Sequence, residues 1–300
     1  MVETEWSGVF PALITPFTKD DKVDEEGLRR LVEYVEAGGV DGVVPCGTTG
    51  ESATLSHEEH KRVVEVVVDC AKKKVIAGTG SNSTAEALEL TKHAEDVGAD
   101  ACLLITPYYN KPNKRGLIEH FKRIADAVDI PLILYNIPSR TGLNMSADVV
   151  LELAEESNIV GIKEASGDLK QVQHIINGVR ERKLDFTVIS GDDILTIPIM
   201  SVGGKGVISV IANIIPKETA EMVHAFLNGD FEKALALNYK LLPLMDAMFL
   251  ETNPIPVKRA AALMGLPAGL TRLPLGALSE ENEKKLRAVL ESFGLIKAPR

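Results

Sequence analysis

Short apolar runs alternate along this chain with longer segments whose apolar positions recur every three or four residues. The short runs are rich in Val, Ile and Leu and show little polar alternation, which is how parallel strands buried on both faces read. The pattern predicts strands over 8–15, 41–45, 75–78, 101–106 and 131–136, one closing at Lys163, and two more over 186–190 and 206–210. Helices are predicted between them, over 24–37, from Ser56, and over 84–97, 114–128, 146–156, 169–182, 194–202 and 217–227. In the first, Leu28, Leu31, Val32 and Val35 share a face; in the second, Ser56 and Glu59 form a capping box and Val63, Val64, Val67 and Val68 turn inward. Eight strand–helix pairs with short connections point to the α/β class and a closed (β/α)8 barrel rather than an open doubly wound sheet. No G-x-G-x-x-G follows the first strand, which argues further against dinucleotide binding.

From residue 231 onward there is no strand signal, and the chain reads as about three helices, one started by Asn253-Pro254 and Pro256 and the last capped by Ser279. The expected organisation is a catalytic barrel over 1–228 and a helical region over 229–300. No low-complexity linker separates them, so the appended helices are expected to pack on the barrel and to help oligomerise it.

Charge narrows the function. A net charge of −10 without a basic cluster argues against nucleic acid and against an anionic membrane surface. The start, M-V-E-T-E-W, has acids where a leader would be apolar, and no stretch is long and apolar enough to span a bilayer, so a cytoplasmic protein is expected. Cys46, Cys70 and Cys102 are widely spaced with no CxxC pair, which fits free thiols in a reducing compartment.

In such barrels the chemistry lies at the C-terminal strand ends and in the loops that follow. Lys163 closes an apolar strand within N-I-V-G-I-K-E-A-S-G-D. Burial disfavours an ammonium, so this lysine is either a neutral nucleophile able to form a Schiff base or a side chain whose stem lies along the sheet with its head in water. After the second strand, G-T-T-G-E-S offers the hydroxyls and amides of Thr48 and Thr49 to a small carboxylate, unless it is a plain turn. After the fourth come Tyr108 and Tyr109; the fifth ends on Tyr135, with Arg140 just beyond. A phenol can shuttle protons and a guanidinium can hold a carboxylate by two hydrogen bonds, though each residue alone fits a core or surface role. Together, at one face, they make a pocket for a small oxo-acid.

Other motifs carry less. Gly203-Gly204-Lys205-Gly206 precedes a strand, at the wrong barrel end for a phosphate loop, and Asp192 and Asp193 at the correct end would repel phosphate. Asp192 is expected to cap the short helix. His57 and His60 lack the H-E-x-x-H pattern and a third ligand, so a solvated face is expected and no metal.

The motifs G-V-F-P-A-L-I-T-P-F, G-T-T-G-E-S-A-T-L, T-P-Y-Y-N-K-P, Y-N-I-P-S-R-T-G, G-I-K-E-A-S-G-D, S-G-D-D and N-P-I-P-V-K resemble the pyruvate-dependent class I aldolase and lyase superfamily, from Gly8 to about Leu266. Within it they resemble the dihydrodipicolinate synthase family. The resemblance implies condensation of pyruvate with L-aspartate 4-semialdehyde on the route to diaminopimelate and lysine, by a homotetramer that needs no cofactor. It implies an imine at Lys163, a proton relay of Tyr135 with Thr48 and, across a subunit interface, Tyr109, and a pyruvate carboxylate held by Thr48 and Thr49. Arg140 would take the second carboxylate, and backbone at Gly191 and Ile208 would line the lysine pocket. It also implies a lysine feedback site at Ser52, Ala53, His57, His60, Asn82, Glu86 and Tyr108. N-acetylneuraminate lyase and the keto-sugar-acid and hydroxy-oxoglutarate aldolases share the lysine and tyrosine, and only Arg140 and Tyr109 lean away from them. A pyruvate-binding sensor without turnover is the non-enzymatic alternative.

Overall fold

The computed structural model describes residues 6–297; residues 1–5, on which the expectation drawn from the start of the chain rested, and 298–300 fall outside the described residues. Eight parallel strands run β1 Gly8–Pro11, β2 Gly42–Val43, β3 Lys74–Gly78, β4 Ala101–Ile105, β5 Leu132–Asn136, β6 Ile159–Glu164, β7 Thr187–Ser190 and β8 Gly206–Ser209, each hydrogen-bonded to its neighbours in chain order and β1 to β8. Val44 accepts from Leu13 and donates to Pro11, which joins β1 to β2 and closes the barrel. At the other seam Gly8 pairs with Gly206, whose φ is +155° and whose missing Cβ would lie 1.9 Å from the Gly8 carbonyl. Only glycine permits that approach.

Helices α1 Glu25–Ala37, α2 His57–Cys70, α3 Thr84–Asp96, α4 Lys114–Ala125, α5 Pro138–Thr141, α6 Ala147–Leu153, α7 Leu169–Arg182, α8 Thr196–Ser201 and α9 Pro216–Leu227 follow the strands. Their starts are encoded locally. Asp24 accepts from the Gly27 amide, Ser56 and Glu59 make the expected capping box, and Asp168 accepts from Lys170 and Gln171. Alternation along the strands gives two cores: Leu132, Leu134, Ile162, Val188 and Val207 pack outward against the helices, while Ile133, Tyr135, Ile189 and Ile208 fill the interior with Phe10 and Trp6.

The boundaries differ from the periodicity where side chains intervene. The first strand stops short of Thr15, because beyond Leu13 the Ile14 amide goes to Asn213 Oδ1 and the Thr15 hydroxyl to the Gly50 carbonyl. Helix α4 stops at Ala125 because Asn158 donates to the carbonyls of Ala125 and Val128, at 3.0 and 2.9 Å. Helix α5 and two 3-10 turns, Ser52–Thr54 and Ile211–Asn213, are too short to show a period, and all three follow strand ends.

Three further helices, α10 Phe231–Ala247, α11 Ile255–Leu263 and α12 Glu280–Ser292, follow the barrel, α10 packing on α9 and α12 on α10 and α11. Pro256 lies in the first turn of α11, and Ser279 accepts from the Asn282 amide at the start of α12. No helix among the described residues is long and apolar enough to cross a membrane.

Lys258 on α11 ties this region to the barrel. Its ammonium, with the side chain 2% exposed, meets a fully buried Glu51 carboxylate at 2.6 Å, donates to the Leu270 carbonyl at 3.1 Å, and lies 4.1 Å from the Phe17 ring centre. The second Glu51 oxygen accepts from the Arg272 amide. Lys258→Ala strands the carboxylate without its counter-charge and is expected to cost about 3–5 kcal/mol in denaturant unfolding. The exposed Glu281–Lys285 pair, cut by Lys285→Ala, should change the same measurement by no more than about 0.5 kcal/mol.

Candidate active site

Lys163 is on β6 in register with Tyr135 of β5, so both side chains enter the barrel near its C-terminal mouth. The ammonium nitrogen of Lys163 sits 4.2 Å from the centre of the Tyr135 ring, and both residues are buried. Burial brings the Lys163 amine down to about 7; the carboxylate of Asp193 works against that fall and Arg140 adds to it. Desolvation also pushes the Tyr135 phenol up to about 12, despite a hydrogen bond with Thr48 and the nearby Arg140 charge. The phenol therefore keeps its proton at neutral pH, beside an amine that has lost much of its own.

Space for the lysine comes from Gly191. A Cβ there would stand 2.9 Å from Lys163 Cε and 2.8 Å from Ala165 Cβ. Its amide donates to the Glu164 carbonyl, which holds the post-β7 turn against β6. Ile208 is buried in the same inner cluster as Tyr135.

The G-T-T-G-E-S loop is pinned at several points. Thr15 holds the Gly50 carbonyl, Glu51 adopts left-handed backbone at φ +57° while paired to Lys258, and the Thr49 hydroxyl accepts from Asn253 Nδ2 at 2.9 Å. Arg140, on α5, donates through Nη2 to the Asn253 backbone carbonyl, also at 2.9 Å. Lysine, tyrosine, threonines and arginine thus do meet at one mouth. Tyr109 stays apart within the single chain: it is 89% exposed, with φ +70°.

The remaining expectations divide. His57 Nε2 meets Glu86 Oε1 at 2.5 Å, and Ser81 donates to the other Glu86 oxygen. Asn82 donates to the Tyr108 carbonyl, and Ser52 and Ala53 lie on the 3-10 turn. His60 is buried with Nε2 on the Gly78 carbonyl at 2.7 Å, so the two histidines serve different partners and His60 is not on a solvated face. Asp192 does not cap α8. Its Oδ1 accepts from the Ile194 amide, while α8 starts after Leu195 without a side-chain cap, because the loop reaches the helix too late for that carboxylate.

Asp193, read along the chain only with Asp192 as a group that would repel phosphate, is the carboxylate that acts on Lys163. It is buried and accepts from the Ser209 hydroxyl at 2.6 Å and from the amides of Val210 and Ile211. Burial raises it to about 6, against those donors. Glu164, next to Lys163 but outside the barrel, accepts from Asn136, Ser166 and Gln171, and so joins the ends of β5 and β6 to α7. The adjacency of Asn136 to Tyr135 and of Glu164 to Lys163 was the available sequence signal.

The model of the dihydrodipicolinate synthetase family matches residues 5–293. A 4-hydroxy-tetrahydrodipicolinate synthase of Methanothrix thermoacetophila is 61% identical over 283 residues, which is 94% of this chain and 95% of the relative. A dihydrodipicolinate synthase from Acinetobacter baumannii, chloride inhibited and complexed with pyruvate, has a TM-score of 0.93 at 46% identity, with 97% of this chain and 99% of that one covered. The enzyme from Cyanidioschyzon merolae with lysine bound gives 0.93 at 41% identity over 98% of this chain and 100% of that one. A match of this extent, in sequence and in fold alike, means that the chain belongs to the dihydrodipicolinate synthetase family.

Proposed function

We propose that this protein is a 4-hydroxy-tetrahydrodipicolinate synthase that condenses pyruvate with L-aspartate 4-semialdehyde through a Schiff base on Lys163. The observation that carries the reading is the buried Lys163 amine, lowered to about 7 and placed against Tyr135 at the barrel mouth. At neutral pH about half of such an amine is neutral, against roughly one part in three thousand for an ordinary lysine. Neutral amine attacks the pyruvate carbonyl, and loss of water leaves an iminium that draws electrons from the adjacent methyl. The methyl gives up a proton, the resulting enamine attacks the aldehyde, and the substrate's own amine displaces Lys163 as the ring closes. Tyr135, bonded to Thr48, is the group that moves protons, and Tyr109 of a neighbouring subunit completes the relay.

Thr48 and Thr49 hold the pyruvate carboxylate, Arg140 takes that of the semialdehyde, and the Gly191 and Ile208 backbones line the lysine pocket. Residues 1–228 are the catalytic barrel and 229–300 the helical region that braces it. The exposure of Tyr109 supports a homotetramer, and the free thiols of the cysteines support a cytoplasmic location. We also propose an L-lysine feedback site on the Ser52–Ala53, His57, His60, Asn82, Glu86 and Tyr108 cluster, in which Glu86 takes the ligand's α-ammonium. The Glu86 carboxylate already faces His57 and Ser81, and His57 or His60 meets the ligand's side-chain end.

Borohydride reduction with subsaturating pyruvate is expected to label Lys163 faster as pH rises through about 7, because deprotonation creates the nucleophile. Lys163→Ala should abolish the label, and trapping that is flat with pH would contradict the assignment. Offered aspartate semialdehyde, N-acetylmannosamine and glyceraldehyde in parallel, the enzyme should consume only the first. Arg140→Ala should raise its KM roughly 10- to 100-fold, the worth of a hydrogen-bonded charge pair. Consumption of a sugar aldehyde instead would make this a sugar-acid aldolase. Millimolar L-lysine should inhibit turnover, with Glu86→Ala relieving the inhibition; an active enzyme indifferent to lysine removes the feedback site.

A further inference from the structure

Asn253 touches both groups that are to hold substrate carboxylates, and does so with two different parts of itself. Its side-chain Nδ2 donates to the Thr49 hydroxyl, and its backbone carbonyl accepts from Arg140, each at 2.9 Å. A threonine hydroxyl has one proton and two lone pairs. With one lone pair taken by an N–H donor, the Thr49 proton is left to point elsewhere, toward an entering anion. The bond to the Asn253 carbonyl occupies one Arg140 N–H and fixes where the guanidinium stands, leaving its other donors for a ligand.

Three features show that this is more than packing. Asn253 is 5% exposed, and its Oδ1 has no hydrogen-bond partner among the described residues. Burial disfavours an unmet acceptor, so hydrogen bonding within the fold does not by itself account for an amide at this position. The residue is also held from the α11 side: Lys258, further along α11, is clamped to Glu51, two positions beyond Thr49, and the Lys258 amide bonds the carbonyl of Pro254. Helix α11 and the threonine loop therefore form one unit, with Asn253 at its tip.

We infer that Asn253 is a positioning residue that directs the Thr49 hydroxyl toward the pyruvate carboxylate with its side chain and fixes Arg140 with its backbone. The inference rests on the functional reading above and adds to it a division of labour that the two substrates can report separately. Only the side chain is altered by substitution, so pyruvate should respond and the semialdehyde should not.

The test uses the full-length enzyme and two variants. Asn253→Leu removes the donor together with the unmet acceptor; relief of that acceptor offsets the loss of the bond to Thr49, so its melting temperature should stay close to that of the wild type, while the pyruvate needed for half-maximal borohydride trapping rises roughly 3- to 10-fold, the worth of one neutral hydrogen bond. Asn253→Asp can only accept, so it draws the Thr49 proton to itself and repels the carboxylate, and its shift should be larger. In both, kcat at saturation and the KM for aspartate semialdehyde should stay within about twofold of the wild type. Unchanged pyruvate affinity in either folded variant, or both substrates weakened in parallel, overturns the inference. Should Asn253→Leu not fold, Asn253→Asp still reports on the hydroxyl, and unchanged pyruvate affinity in it alone overturns the inference. A wild-type protein that traps no pyruvate overturns the functional reading, and the positioning role with it.

Discussion

A primary amine inside a closed parallel barrel has lost the water that would solvate its charge, and the organisation of this protein's mouth follows from that loss. Burial lowers the Lys163 amine although the Asp193 carboxylate favours the ammonium, so desolvation outweighs the attraction of the counter-charge. Asp193 can be kept there because three donors, the Ser209 hydroxyl and two backbone amides, meet it. It is thus close enough to limit the fall without reversing it. Tyr135 undergoes the same desolvation with the opposite consequence, since losing water keeps a phenol neutral. One environment yields an amine that has lost its proton about half the time at neutral pH next to a phenol that keeps one.

Precision at the mouth depends on interactions lying just behind it. Glu164 and Asn136 follow Lys163 and Tyr135 in sequence and point to the opposite side of the sheet, where their hydrogen bonds join β5, β6 and α7. The inner side chains inherit that registration. On the other side of the mouth the buried Glu51–Lys258 pair binds the threonine loop to α11. A buried ion pair contributes little net stability compared with apolar packing, but it has one satisfied geometry and penalises any other strongly. That makes it suited to setting the position of a loop.

Much of the barrel was legible along the chain because parallel strands buried on both faces need continuous apolar residues, and helices that cover them need an apolar stripe. Capping residues such as Ser56 and Ser279 marked helix starts because each bonds an amide only three positions ahead. Lys163 stood out for the converse reason, as a charge where the pattern required an apolar residue. The ends of elements were less legible. Helix α4 stops where Asn158, 33 residues away from Ala125, reaches the carbonyl of that last residue, and no local signal encodes the contact.

The sequence by itself determined the fold class, the strand-end location of Lys163, Tyr135, Thr48, Thr49 and Arg140, and the membership that its motifs implied, because strand periodicity and the barrel's polarity place those residues without reference to distant partners. Only the tertiary structure decided which of them share an environment. Asn253 meets Thr49 across 204 positions and Lys258 meets Glu51 across 207. N-P-I-P-V-K could be read locally as no more than a helix start. The pKa of Lys163 was likewise settled in space, since desolvation and Coulomb interactions depend on distance through the folded protein rather than along the chain.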